Sequence, residues 1–440
     1  MDSEFGARRR PARGSEGLLV TGGSRYRNTA VSTSSLVTAL IWAVLPVSPA
    51  SAQQTPAPLP SNQKGCLPAP TSTEGGMPWA QRRLVPDSVW PLTKGAGVIV
   101  GVVDTGVDAG TAQLSDGRVM RGLDVTTPER KPADDDCFGH GTFVAGIIAA
   151  SARQGTGFSG IAPEATILPI RCAVATQDGS PPVLTSVEMA NGIRAAVDGG
   201  ARVINISAST SVPDQGLAEA VEYAARSDVV VVASAANSAL QGDPVTYPAS
   251  YPSVIAVGAI DEAGKKADFS QTGEFVSLVA PGVGVTSVGP RGAGHWLGSG
   301  TSYAAPFVAG AAALVRAYHP SLSAGQVKRR LEATADHPAT KVPDPGLGWG
   351  TVNVTAAVTT ILPEESAAGM PVVTAELAPL PPAKQTEGAG PLLAVGAATV
   401  VPVLVFLTFL MSRLYRSGRR RRWQPARVAE ISSGRDLKAQ

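Results

Sequence analysis

The chain has 440 residues, 44% of them hydrophobic and 16% charged, with a formal net charge of +2 at neutral pH. This is ample for one large core with appendages and excludes a chain too polar to fold. The near-neutral balance does not mark a nucleic-acid partner, and none is expected.

Residues 1–23 show no apolar periodicity and read as an upstream misread start or a cloning remnant. Arg25 and Arg27 then precede an apolar run from Leu36 to Val47, and Ala50-Ser51-Ala52 supplies small residues for cleavage. Residues 1–52 are therefore read as an upstream segment and secretory signal peptide, with the mature chain starting near Gln53. Residues 53–92 are rich in proline and carry Cys66 and Trp79. They are too few to bury a core of their own and are expected to wrap around the domain that follows.

In residues 93–360 apolar strands alternate with helical patterns. Val98 to Val103, Thr166 to Ile170, Ala201 to Ser207, Val229 to Ala233 and Ser253 to Val257 read as strands. Helices are expected near 185–199 and 216–227, from the serine-bearing stretch near 302, and over Ser323 to Ala333. The alternation predicts an α/β domain with a largely parallel sheet covered by helices on both faces. Asn205 opens an Asn-X-Ser pattern but falls in a core strand, so it is discarded as a glycosylation site. Residues 361–391 read as a proline-rich tether. Leu392 to Met411 is twenty residues without a charge. That is long enough to cross a hydrocarbon core of about 30 Å as a transmembrane helix, which Pro402 could kink. Residues 412–440 hold nine basic residues against Glu430 and Asp436, which by the positive-inside rule makes this tail cytoplasmic and the large domain extracytoplasmic.

Three motifs carry chemistry. The strand ending in Asp104-Thr105-Gly106 places a carboxylate at the C-terminal lip of the sheet. His140, one of four histidines, sits in Gly139-His140-Gly141-Thr142 at the start of an apolar helical run. In Gly298-Ser299-Gly300-Thr301-Ser302-Tyr303-Ala304-Ala305-Pro306 a serine opens a helix, where unpaired backbone N–H groups could receive an oxyanion. Each motif has a plain alternative: a strand-end aspartate, a surface histidine, a helix cap. Together they supply a nucleophile, a base and a group to orient the base.

In the order Asp104, His140, Ser302 these motifs resemble the subtilisin-type serine proteases over about residues 80–360. The resemblance implies a subtilisin-like fold in which Ser302 attacks, His140 moves the proton and Asp104 orients His140. It also implies an oxyanion hole from Asn237, which follows the strand at Val229 to Ala233, and the Ser302 N–H. The walls of the primary specificity pocket would be Ser207-Ala208-Ser209 and Ser234-Ala235-Ala236. Ser209 and Ala236 stand where that family normally has glycine, so a narrowed pocket that accepts small residues is expected. No metal or cofactor is required, and Asp134-Asp135-Asp136 is expected to be solvated rather than to bind calcium.

Three cysteines allow three single bridges; Cys66 with Cys137 is the pair favoured here, with Cys172 left over, and the alternative is three unpaired small side chains. The whole order of signal peptide, short cysteine-bearing extension, protease domain, tether and C-terminal span resembles the mycosins, membrane-anchored proteases of type VII secretion systems. That implies an endopeptidase of protein or peptide substrates beside a type VII secretion membrane complex, which it also stabilises. The alternative is a structural component of that complex whose proteolytic activity is dispensable. The leftover Cys172 departs from the family, where a second bridge is usual.

Overall fold

The computed structural model describes residues 56–60, 63, 65–173, 184–366 and 411–413. Contacts divide the chain after Thr360 into two units. In the first, strands in chain order are β1 (Ala57–Pro58), β2 (Ile99–Asp104), β3 (Leu123–Asp124), β4 (Thr166–Arg171), β5 (Val203–Ile206), β6 (Val230–Ser234), β7 (Ile255–Ile260), β8 (Val276–Pro281), β9 (Val285–Val288) and β10 (His295–Gly298). The helices are α1 (Trp79–Leu84), α2 (His140–Ala149), α3 (Ser186–Asp198), α4 (Gln215–Arg226), α5 (Thr301–Tyr318), α6 (Ala324–Ala333) and α7 (Val354–Thr359).

Seven strands form one sheet in the order β3-β4-β2-β5-β6-β7-β8, every pairing parallel. This is the expected α/β architecture with a parallel sheet between helices, and the strand sequences explain it. Val100, Val102, Val203, Val230 and Val232 pack into one core with α2 and α5, while Val103, Ile204, Ile206, Val231 and Ala233 pack into a second with α3 and α4. Successive side chains enter opposite cores, so a strand buried on both faces must be apolar at nearly every position. Asn205 is the exception in β5, fully buried, and its place there removes it as a glycosylation site.

The chain runs from β2 outward to β4 on one side and returns to β5 on the other, so the winding reverses between β2 and β5. Crossover loops on the two sides diverge at such a point and leave a crevice beyond the C-terminal strand ends.

The described residues before β2 lie along this body. β1 pairs with β10, which pairs with β9. Leu67 is fully buried, its N–H donates to Cys137 O at 2.8 Å, and Cys66 is disulfide-bonded to Cys137. Cys172 is buried and unbridged. His295 in β10 is buried, with Nδ1 accepting from Glu74 N at 2.9 Å and Nε2 set 2.8 Å from Gln113 Oε1. Nδ1 must accept, so the ring is neutral with its proton on Nε2. Burial lowers its pKa to about 4.

Among the described residues no helix is long and apolar enough to cross a membrane. The signal peptide, the 392–411 run except Met411, the tether beyond Ser366 and the basic tail beyond Arg413 lie outside the described residues.

His295 yields a pH test. Its folded pKa lies below the ordinary value of 6.5, so its contribution is full above that value and is lost as pH falls toward 4. The unfolding free energy should drop by roughly 3 kcal/mol over that window from this group alone. Denaturant titration of wild type beside His295→Gln at each pH should show a flatter dependence in the variant.

Candidate active site

The crevice at the winding reversal gathers the sequence-marked residues. Asp104 ends β2 and is 4% exposed. Its Oδ1 accepts from Thr105 N at 2.8 Å and lies 2.8 Å from His140 Nδ1. His140 is the first residue of α2, behind Gly139 at φ +89°. A Cβ on Gly141 would come within 2.1 Å of Gly106 O, so only glycine lets the two loops approach this closely.

Asp136 corrects the expectation that the acidic run is solvated. It is 4% exposed. Its Oδ1 accepts from Thr105 Oγ1 at 3.0 Å and Gly139 N at 2.8 Å, and its Oδ2 from Thr142 N at 2.9 Å and Thr142 Oγ1 at 2.7 Å. Thr105 Oγ1 in turn accepts from Gly141 N at 3.0 Å. One buried carboxylate thus ties the loop after β2 to the start of α2. Asp135 is exposed and pairs with Arg171, and Asp134 lies 3.8 Å from Arg121.

Ser302 is the second residue of α5, in a turn whose first N–H groups lack intrahelical acceptors. Pro306, four residues on, has no N–H with which to bond the Ser302 carbonyl. That carbonyl instead accepts from Ser207 Oγ at 2.7 Å, and Ser207 Oγ accepts from Asn205 Nδ2 at 2.9 Å. Ser302 Oγ donates to Ser207 O at 3.1 Å in this conformation rather than to His140. The His140 and Tyr303 rings lie 5.3 Å apart between centroids, and Tyr303 packs on Phe143 at 4.5 Å.

Asn237 Oδ1 accepts from Thr301 N at 2.8 Å and Thr301 Oγ1 at 2.9 Å. Those two donors fix the amide orientation, and Nδ2 remains as a donor beside Gly300 and the start of α5. Ser207-Ala208-Ser209 follows β5, Ser234-Ala235-Ala236 starts on the last residue of β6, and the two strands are paired neighbours, so the segments lie side by side. Ser207, Ser234, Ala235 and Ala236 are buried, Ala208 and Ser209 half-buried. Ala236 has φ +83°, a left-handed conformation that favours glycine.

Asp136, Thr105 and Tyr303 were not singled out from sequence. Tyr303 directly follows Ser302 and could have been suspected; Asp136 was hidden in a run of three aspartates that looks like surface.

The sequence profile of the Subtilase family matches residues 95–350. The chain belongs to the subtilase family. It is 38% identical over 380 residues to Mycosin-4 of Mycobacterium tuberculosis, covering 76% of this chain and 81% of that protein. It is 37% identical over 282 residues to Thermitase of Thermoactinomyces vulgaris, covering 64% and 95%. The solved structure of the MycP3 protease from the type VII (ESX-3) secretion system superposes with a TM-score of 0.58 at 33% identity, over 69% of this chain and 95% of that one. This subtilase is a serine endopeptidase closely related to the mycosins.

Burial disfavours the charged His140 ring, but the charge and hydrogen bond of Asp104, with Asp136 behind it, outweigh this and hold its pKa above the ordinary 6.5. A raised folded pKa means that this interaction contributes stability below pH 6.5, which is lost as pH rises through the folded value. Titration of the imidazole by NMR should place His140 above 6.5 in wild type. In Asp104→Asn it should fall below, since burial then acts with little opposition. An unchanged value in the variant would refute the assignment of cause.

Proposed function

We propose that Ser302 is the nucleophile, His140 the general base and Asp104 the group that orients His140, with Asn237 Nδ2 and the Ser302 N–H receiving the oxyanion. The observation that carries this reading is the 2.8 Å contact of Asp104 Oδ1 with His140 Nδ1. It leaves Nε2 as the proton acceptor, at the lip where α5 begins. Rotation of Ser302 about χ1 releases Oγ from Ser207 O. Attack on a peptide carbonyl then moves the hydroxyl proton to His140 Nε2, and the imidazolium returns it to the leaving amine. The negative oxygen would be held by donors whose positions are set before the substrate arrives.

The domain is read as extracytoplasmic, released by a signal peptide ending near residue 52 and held by the 392–411 helix through the 361–391 tether, with residues 412–440 in the cytoplasm. Residues 53–92 serve as a brace for the peptidase domain, 93–360. Likeness to mycosins, of which the MycP3 protease comes from a type VII secretion system, supports a site of action beside such a complex, processing its substrates and stabilising it. The bond from Ser302 Oγ to Ser207 O favours a second reading, in which the triad is idle and the protein serves the complex structurally.

A fluorophosphonate probe separates the two. Ser302 should be the only serine labelled, labelling should vanish in Ser302→Ala, and His140→Ala should cost at least about a thousandfold in peptide hydrolysis. Labelling of Ser302→Ala equal to wild type refutes the nucleophile; no labelling of either supports the idle triad.

The positive φ at Ala236 supports a pocket wall built for glycine but carrying a methyl group. Overfilling packed space costs ~1–3 kcal/mol, so aromatic side chains before the cut should be disfavoured by about tenfold or more against alanine. A peptide library varied at that position should show the preference for small residues, and Ala236→Gly with Ser209→Gly should extend it to larger ones. A preference for phenylalanine or leucine in wild type overturns the narrowed pocket.

Deletion of residues 392–440 should give a soluble domain with unchanged peptide hydrolysis, because the tether is read as sharing no core with it. Loss of cooperative unfolding in that truncation would place the boundary elsewhere.

A further inference from the structure

All strands of the main sheet run parallel, so the N-terminal ends of β7 and β8 lie at the edge opposite the crevice that holds Asp104. A second cavity of about 400 Å³ opens there, between those strand ends, α6 and the loop carrying Trp349. No residue of the candidate active site lines it.

Three half-buried aromatic side chains, Tyr251, Phe275 and Trp349, form its walls. Its one cation, Lys328 on α6, is spent: Nζ donates to Val254 O at 3.0 Å and Ser277 Oγ at 2.9 Å and pairs with Glu332 at 2.7 Å. Three bonds exhaust an ammonium group. What remains toward the cavity is acceptor-rich. Glu332 has one oxygen beyond its pair with Lys328 and a side chain only 14% exposed. Glu274 is exposed and, among the described residues, makes no ion pair or hydrogen bond.

The ionisable lining therefore holds two carboxylates against one fully bonded ammonium, within aromatic walls. That combination complements a cation that brings several donors and a face that stacks. A guanidinium has five N–H donors in a planar fork, pairs with carboxylates through two parallel bonds and stacks flat on aromatic rings, whereas a second ammonium would bring three donors on a compact charge and no planar face to stack. We propose that this cavity binds an arginine side chain presented on an exposed segment of a partner protein. The guanidinium lies among Tyr251, Phe275 and Trp349, paired with Glu274 at the mouth and Glu332 further in. A cavity of this volume accommodates an arginine with part of a flanking residue. Because it opens at the edge opposite the crevice, a partner held there leaves the substrate path clear.

The test uses the detergent-solubilised full chain and Nα-acetyl-arginine amide, followed by saturation-transfer NMR with the dissociation constant taken from titration. Nα-acetyl-citrulline amide, a neutral isostere, should bind about tenfold more weakly, the factor expected for one lost charged hydrogen bond. Glu274→Gln and Glu332→Gln should each weaken the arginine probe about two- to fivefold. Glu332→Gln also removes the partner of Lys328, so Glu274→Gln, at an exposed position, stands as the variant that tests binding without risk to folding. Peptide hydrolysis should be unchanged in Glu274→Gln. The proposal is overturned if citrulline binds as tightly as arginine, if the lysine analogue matches arginine, or if Glu274→Gln leaves arginine binding at the wild-type value.

Discussion

The Asp104–His140 contact depends on a buried carboxylate that touches neither residue. Asp104 ends a strand and His140 begins a helix, and these termini belong to loops separated by 36 positions in sequence. Asp136 accepts one bond from the first loop, through Thr105, and three from the second, through Gly139 and Thr142. A buried carboxylate with four donors cannot swing without leaving charge and N–H groups unpaired, which is far more costly than a loose surface contact. The glycine at 141 lets the backbones close, and Asp136 keeps them closed. Cys137 follows directly, so the disulfide to Cys66 attaches the N-terminal segment to the same loop.

The serine side is held by different means. α5 is buried along most of its length, so the position of its first turn is set by the packing of Phe307, Val308, Leu314 and their neighbours against the sheet. Pro306 frees the Ser302 carbonyl, Ser207 captures it, and the end of β5 is thereby joined to the start of α5. Thr301 is bonded to Asn237 in the same way from β6. Side chains from three neighbouring strand ends thus converge on one crevice, and the rigidity of the parallel sheet becomes the rigidity of the site.

The large elements were legible from sequence because their signals are local. Strands such as Val230–Ser234 are continuous apolar runs, and helices such as Gln215–Arg226 have one clear apolar face. β1, β3 and the β9–β10 pair were not expected, since two- to four-residue strands carry too little pattern and exist only through their partners; nor was β8, whose six buried residues include Ser277 and end in Pro281, which interrupt the apolar run. Asp136 escaped for a related reason: nothing in three consecutive aspartates says which one turns inward.

By itself the sequence determined the α/β class, the order of the chemistry-bearing motifs and the family they resemble, because each rests on residue types and spacings along the chain. Whether Asp104 meets His140, that the amide oxygen of Asn237 is tied down and its nitrogen left as a donor, that Ala236 sits at positive φ, and that a cavity lined by Trp349, Glu274 and Glu332 opens at the far edge were decided only by the tertiary structure. Those properties belong to pairs and groups of residues tens to hundreds of positions apart, and the packing of the two cores about one parallel sheet is what brings them to a common place.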